Sequence, residues 1–336
     1  MKYFLLAVFV LAAVPAQAQD NVAAFYKGKT VRIVVGTGVG SGYDITARTM
    51  ARHLAAYIPG NPTVIVQNQP GAGGLTMTNS LNANGPFDGT VIGAPFNGTP
   101  TMPILQPQTA RFDAAKLSYL GSTNRETQVM YVWHSVPVKT LDDVKTTELV
   151  MGAQGPGSTQ YDYPVLLDHL LGYKFKVVTG YESTPKIHLA LERGEVQGTI
   201  ANWSTLKALN SNWIADKQIR LLVQWGLTRL PDLGDVPSIF DYVKDEADRA
   251  AVRLVVARLE YGRPYFVPPG VPAERVTALR RAFDAAVKDP EFLKEAGKEK
   301  LDIDPLTGEQ VQELIEQVSR TPPDIVARVR AALENK

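Results

Sequence analysis

The sequence predicts an α/β protein of two lobes, each a mostly parallel sheet flanked by helices. Three observations carry this expectation. Strand-like and helix-like segments alternate along most of the 336 residues, an order that produces parallel strands with crossover helices. Two glycine-bearing turns, "GTGVGSGYD" from Gly36 and "GAQGPGSTQ" from Gly152, each stand between an apolar run and a helix start. After "IRLLVQWG" the C-terminal third holds too few strands for a sheet of its own.

The first residues, "MKYFLLAVFVLAAVPAQAQD", read as a leader. Lys2 precedes an apolar run from Tyr3 to Val14 and the small-residue pattern "AQA". The run is short for a bilayer span and has the flanks of a secretory signal peptide, with cleavage expected near Ala18. Residues 1–18 are therefore set apart and a periplasmic location is expected. The strand "TVRIVV" then leads through the first glycine turn into a helix from Asp44 to Ile58, with Asp44 in the N-cap position. "PTVIVQN", the turn "PGAGG", the helix "LTMTNSLNANG" and the strand "TVIGAPFN" complete a βαβαβ unit.

The pattern restarts with the strands "KLSYLGST" and "TQVMYVWH". "ELVMGAQ" feeds the second glycine turn and the helix "YDYPVLLDHLL"; "KFKVVTGY", "STPKIHLALERG" and "VQGTIAN" continue the alternation. Later, "AERVTALRRAFDAAVKD" and "GEQVQELIEQVSR" are amphipathic helices around a proline-rich strand, "YGRPYFVPPGVP". With no sheet of its own, the C-terminal segment is expected to pack back on the first unit. That gives a discontinuous first lobe of residues 19–122 plus 228–336 and a second lobe of residues 123–227. Chain crossings are expected near Ser122 and Gly226, with a ligand-sized cleft between the lobes.

Composition narrows the functional classes. There is no cysteine, which removes disulfides, thiolate metal sites, a cysteine nucleophile and a lipidated N-terminal cysteine. Without Lys2 the basic and acidic residues are equal in number, so nothing favours nucleic acid or an anionic membrane. The four histidines have no metalloprotease spacing and no serine elbow beside them. No catalytic group, metal or cofactor is expected.

The glycine turn from Gly36 fails as a dinucleotide fingerprint, because Ser41 or Tyr43 stands where the third glycine belongs. It fails as a phosphate loop because no G-K-[ST] follows. What remains is a tight turn packed on the sheet, or a close backbone approach to an anion at a helix N-terminus. The second turn, with Gly155, Gly157, Ser158 and Thr159, adds weight to the anion reading. One such turn per lobe would aim two helix dipoles at a shared space.

Several segments together resemble the periplasmic solute-binding receptors of tripartite tricarboxylate transporters, the Bug receptors. "VRIVVGTGVGSGYDITAR", "VIVQNQPGAGG", "GPFDGTVIGA", "GAQGPGSTQ", "LALERGEVQG" and "VPPGVPAERVTALRRAFDAAVKDPEF" occur in that family's order from about Tyr26 to Asp304. The resemblance implies a Venus flytrap that closes on a small organic carboxylate and delivers it to small and large membrane subunits. It places Gly38, Gly40, Ser41, Gly42, Tyr43 and Asp44 on one wall, with Asn97, Gly98 and Thr99 beside them. Gly155, Gly157, Ser158 and Thr159 form the opposing wall, Tyr181 and Ser183 match the family's Y-x-G turn, and Asn202 and Trp203 sit at the floor. Val39, Ser41, Tyr43, Gln69 and Ser183 depart from the usual pattern, which marks a divergent branch. Tyr43, Tyr181 and Trp203 are available to stack on a flat ligand. If no cationic residue reaches the cleft, a tricarboxylate is poorly neutralised there, and a mono- or dicarboxylate fits better. A monomer is expected. The rival readings are a receptor that signals to a membrane sensor and, with no nucleophile, metal or cofactor motif behind it, a secreted enzyme.

Overall fold

The computed structural model describes residues 16–334, with side chains from Asn21 onward. The expected leader, residues 1–18, lies outside the residues described with side chains. In chain order the first unit comprises α1 Ala16–Tyr26, β1 Thr30–Val35, α2 Gly42–Leu54, β2 Thr63–Asn68, α3 Leu75–Asn84, β3 Val91–Ala94, α4 Met102–Leu105 and β4 Ser118–Ser122. The second comprises β5 Gln128–Trp133, β6 Leu149–Gly152, α5 Thr159–Leu171, β7 Phe175–Val178, α6 Thr184–Glu192, β8 Gly198–Asn202, α7 Trp203–Leu209, α8 Ser211–Ala215 and β9 Ile219–Trp225. Then follow α9 Ile239–Tyr242, α10 Glu246–Val256, β10 Pro264–Val267, α11 Ala273–Ala286, α12 Pro290–Lys298, β11 Leu306–Thr307, α13 Gly308–Ser319 and α14 Pro323–Glu334.

The strands form two sheets, ordered β11-β4-β10-β3-β1-β2 and β7-β6-β8-β5-β9. In the first, β1 lies parallel to β2, with Thr30 opposite Thr63, and to β3, with Arg32 opposite Val91. In the second, β6 runs parallel to β7 and β8. The antiparallel members include the strands that enter each sheet from the other: β5 against β8 and β9, and β10 against β3 and β4. A strand arriving across the waist starts at the end of the sheet where the parallel strands finish, so it runs against them.

Each sheet is covered on both faces, and side-chain alternation along the strands divides the core accordingly. In β1, Ile33 and Val35 join Met50, Leu54 and Phe283 on one face, while Val34 meets Leu75, Met77 and Phe266 on the other. In β5, Met130 and Val132 face Leu166 and Trp225, and Val129 and Tyr131 face Leu206 and Trp213. Helix α2 shows why the first unit closes: Ala47, Met50, Ala51 and Leu54 recur at helical spacing and all are buried. Its start differs from the expectation that Asp44 caps it. Ser41 is the N-cap, with extended backbone and a side chain that accepts from the Asp44 N–H, so the helix begins at Gly42.

The C-terminal segment also divides differently from the expectation that all of residues 228–336 join the first lobe. Strands β10 and β11 and helices α11 to α13 do complete the first sheet. By contrast, Val252, Val255 and Val256 of α10 and Val329 and Leu333 of α14 pack into the core of the second sheet, beside Tyr163, Leu166 and Trp225. The reason is burial: α10 and α14 pack on each other and α14 on α5, so their apolar stripes cover a face of the second sheet left open by its own helices. The chain therefore passes the waist at residues 123–127, at residues 257–263 and again at residues 320–322. The first two segments run side by side, with Glu126 N–H donating to the Leu259 carbonyl at 2.8 Å and Arg263 N–H to Ser122 Oγ at 3.1 Å.

Candidate functional site

The parallel strands of both sheets end at one cleft, the place where open α/β sheets bind ligands. Ser41, Gly42 and Tyr43 reach it after β1, and Phe96 and Asn97 after β3. From the other sheet come Gln154, Thr159 and Gln160 after β6, Thr184 after β7, and Asn202 and Thr205 after β8. Gln128 and Arg263 enter from the waist. The centre of a water molecule can reach only about 30 Å³ of the cleft. That is room for about two or three waters, so the two sheets are held close together.

Several helices point their N-termini into this space. The N–H groups of Gly42 and Tyr43 in α2, and of Thr159 and Gln160 in α5, belong to the first turn, where helix geometry supplies no carbonyl acceptor. Both helices have 13 residues, long enough for a developed dipole, worth about 0.3–2 kcal/mol to an anion at each N-terminus. The arrangement is suited to negative groups.

The charges at the waist are already paired. Arg263, 2% exposed, donates from Nε to Glu126 Oε1 at 3.0 Å and from Nη2 to Thr205 Oγ1 at 3.0 Å, and Nη1 meets Thr46 Oγ1. It thus touches α2, α7 and the waist at once, with its guanidinium 5.6 Å from the centre of the Tyr43 ring. Glu126 also accepts from Asn97 Nδ2 at 3.0 Å and Gln128 Nε2 at 3.1 Å. Burial pushes its carboxyl above the usual carboxylate range, against the opposing pull of Arg263 and the amides. Burial likewise keeps the Tyr43 phenol well above its ordinary value, so it is neutral; it donates to the Gly262 carbonyl and accepts from the Asn97 N–H.

Of the residues expected at the site, Ser41, Gly42, Tyr43, Asn97, Thr159 and Asn202 are brought together in the cleft wall. The others stand behind it or between the sheets. Gly38 donates its N–H across the gap to the Glu182 carbonyl at 3.1 Å. Gly157, at φ +87°, packs against Gly73, where an added Cβ would lie 2.3 Å from the Pro156 carbonyl oxygen. Gly98 abuts Gly157 in the same seam, and Thr99 Oγ1 donates to the Gly73 carbonyl. Ser158 Oγ donates to the Gly155 carbonyl at 2.6 Å, closing the second turn rather than facing a ligand. Asp162 and the buried Arg258, 2.7 Å apart, brace that turn from behind, Asp162 accepting from the Gly157 N–H. Ser183 is the α6 N-cap, and Tyr181 is half-buried against the outer core. Trp203 is turned away: it packs in that core and donates from Nε1 to Asp232 at 2.6 Å.

Asp44 is the clearest departure from expectation. Its carboxylate accepts from Gly40 N–H at 2.8 Å, Asn68 Nδ2 at 2.8 Å and Arg48 Nε at 3.1 Å. It is 1% exposed and serves the turn itself. Asp44→Ala should therefore lower stability by about 1–3 kcal/mol by leaving buried donors unpaired, measured as the urea midpoint. An unchanged midpoint together with lost ligand affinity would put the carboxylate on the ligand instead.

Sequence reasoning missed Arg263, Glu126, Gln128, Gln154, Gln160, Phe96, Thr184, Ala201 and Thr205. The signal available was position: "NRETQ" and "EYGRPY" flank the strands that cross the waist. A cation does reach the cleft, Arg263, although Glu126 neutralises it.

Comparison with known proteins agrees with this architecture. The model of the tripartite tricarboxylate transporter family receptor matches residues 46–330. A relative from Cupriavidus necator, described as "UPF0065 protein in gbd 5'region", is 26% identical over 300 residues, 86% of this chain and 83% of the relative. The periplasmic binding protein BugD superposes with a TM-score of 0.73 at 19% identity, over 91% of this chain and 98% of that one. MatC (Rpa3494) from Rhodopseudomonas palustris, solved with bound malate, gives 0.70 at 18% identity, over 91% and 99%. The fold is thus the two-lobed α/β architecture of periplasmic binding proteins.

Proposed function

The chain belongs to the tripartite tricarboxylate transporter receptor family, and from that membership and the cleft geometry we propose that it is a periplasmic receptor that closes on a small organic carboxylate. One observation carries the reading: the N-termini of α2 and α5 open into the same cleft, whose one charged lining residue among those described, Arg263, is held by Glu126. An anion there is met by helix N–H groups and a neutralised ion pair, so one or two carboxylates are accommodated better than three. The bound malate of the similar fold is consistent with this. Capture proceeds by parting and rejoining of the lobes about the waist segments near residues 123–127 and 257–263. The lobes are residues 19–122 with β10, β11 and α11 to α13, and residues 123–227 with α9, α10 and α14. The monomeric closed form is then handed to the small and large membrane subunits of a transporter, with no chemistry performed on the ligand.

A thermal-shift screen of residues 19–336, refolded to release trapped ligand, tests this against mono-, di-, tri- and aromatic carboxylates. Ligand at about 100 times its Kd adds roughly 2.7 kcal/mol of stability. Stabilisation by a mono- or dicarboxylate is expected, with citrate weaker. Stabilisation by cations or neutral solutes alone would overturn the reading.

A further inference from the structure

A second and roomier hollow lies at the waist, lined by residues that the cleft does not use. It runs between α10, α13 and α14, with Ala257, Glu260, Thr321 and Pro322 contributed by two of the segments that cross between the lobes. The centre of a water molecule can reach about 400 Å³ of it, against about 30 Å³ of the cleft. That volume lies in the range of small-molecule sites, about 300–1,000 Å³. The walls are mainly aliphatic. Leu314 packs on the core of the first sheet, while Leu254, Ala257 and Ile325 belong to that of the second. Leu227, after β9, is 39% exposed at the rim. The two cores therefore reach the surface side by side in this groove. A change in the angle between the lobes alters the spacing of Leu314 from Leu254 and Ile325.

Charge decides what fits. Two charged side chains line the groove, Arg253 and Glu260. Glu260 already has a partner, Arg125 Nε at 3.7 Å. Arg253 is exposed, and its guanidinium makes no ion pair or hydrogen bond among the described residues. An apolar trough with one uncompensated cation complements an apolar chain that carries one negative group. A neutral chain leaves the guanidinium unused, and a cationic one is repelled by it.

We propose that this groove is an effector site for a small amphipathic monoanion, an alkyl chain with one acidic group, and that its occupancy shifts the balance between open and closed lobes. The coupling rests on the lobe motion proposed above; the site does not. A ligand that fits the groove better at one lobe angle favours that angle, so groove and cleft ligands change each other's affinity by one shared factor.

Titration calorimetry with octanoate, octan-1-ol and octylammonium, three probes of one chain length, tests the site. Octanoate should bind about twofold to fivefold tighter than octan-1-ol, the range of an exposed ion pair, and octylammonium should bind weakest. Arg253→Glu should invert the order of the two charged probes. Ala250→Trp fills the groove from a half-buried position on α10. It should weaken all three by at least about tenfold and leave the urea midpoint in place. No octanoate binding by the unmodified protein, an unchanged order in Arg253→Glu, or octanoate affinity unaffected by Ala250→Trp would each overturn the site. Dimers that form with rising concentration and disperse in Ala250→Trp would give the groove to a second copy of the chain and overturn the small-anion occupant. Small-angle scattering tests the coupling: octanoate should change the radius of gyration of the unmodified protein and not that of Ala250→Trp. A radius left unchanged, or changed equally in both, would overturn it. If Ala250→Trp binds no carboxylate while the unmodified protein binds octanoate, the groove stands and the receptor reading falls. If Ala250→Trp and the unmodified protein bind carboxylates alike, the receptor reading stands and the groove falls.

Discussion

Arg263→Met should cost the fold about 3–5 kcal/mol at neutral pH, because it strands Glu126 as an unpaired buried charge. Arg263 and Glu126 are 2% and 0% exposed in their side chains and 3.0 Å apart. Methionine fills much of the space but supplies none of the donors now aimed at Glu126, Thr46 and Thr205. The loss should depend on pH in a defined direction. Burial already raises the folded-state Glu126 carboxyl above its ordinary 4.5, and Arg263 is the main group lowering it. Removing Arg263 widens that gap. A carboxyl raised in the folded state favours folding below its unfolded value, and the advantage disappears as pH rises through its folded value. The deficit of Arg263→Met relative to the unmodified protein should thus be largest near neutrality and shrink as pH falls toward 4.5. Adding Glu126→Gln should recover much of the neutral-pH loss, since an amide still accepts and donates without a charge. Chemical denaturation at several pH values reads both effects. A deficit independent of pH, or no rescue by the second substitution, would mean that the ion pair does not set the stability of the waist.

The same pair shows what the sequence can and cannot disclose. Alternation in "TVRIVV" and "TQVMYVW" was readable because side-chain direction is set by neighbours one or two residues away, and the two faces of each sheet follow from it. The glycine turns were readable for the same reason. Arg263 and Glu126 are separated by 137 positions, and each lies in a segment with no periodicity to interpret. Only the crossing of the waist brings them together. Asp44 illustrates a subtler failure. An acidic residue at a helix start can cap, face a ligand or tie down a loop, and the sequence does not choose. Here Asn68, at the end of β2, and Arg48, one helical turn on, draw the carboxylate inward, while Ser41 takes the capping position. Helices α10 and α14 were misplaced because amphipathicity shows that a helix buries a face, not which sheet it covers.

Gly38→Ala should leave the protein folded and weaken ligand binding by roughly fivefold to 150-fold. Gly38 has a backbone conformation open to any residue, as its φ lies outside the left-handed region. Alanine is therefore not strained in its own turn. The difficulty arises across the cleft, where the new Cβ would lie 2.8 Å from the Glu182 carbonyl oxygen and 3.2 Å from Ser183 Cβ. The Gly38 N–H donates to that same carbonyl oxygen, so a methyl group also displaces a hydrogen bond between the walls. Overpacking of this kind costs about 1–3 kcal/mol. The cost falls on the closed arrangement, because parting the walls relieves it. Apparent affinity declines in proportion to the closed fraction, which converts that cost into a loss of roughly fivefold to 150-fold. Gly297→Ala provides the control, since a Cβ there meets nothing within 4 Å. Scattering with saturating carboxylate should show a larger radius of gyration for Gly38→Ala than for the control, with unfolding free energies from urea titration within about 1 kcal/mol of each other. Unchanged affinity and unchanged radius would show that the walls do not meet at Gly38 when ligand is bound. A lowered midpoint with unchanged radius would place the methyl clash inside one lobe, leaving closure to the seam between Gly73 and Gly157.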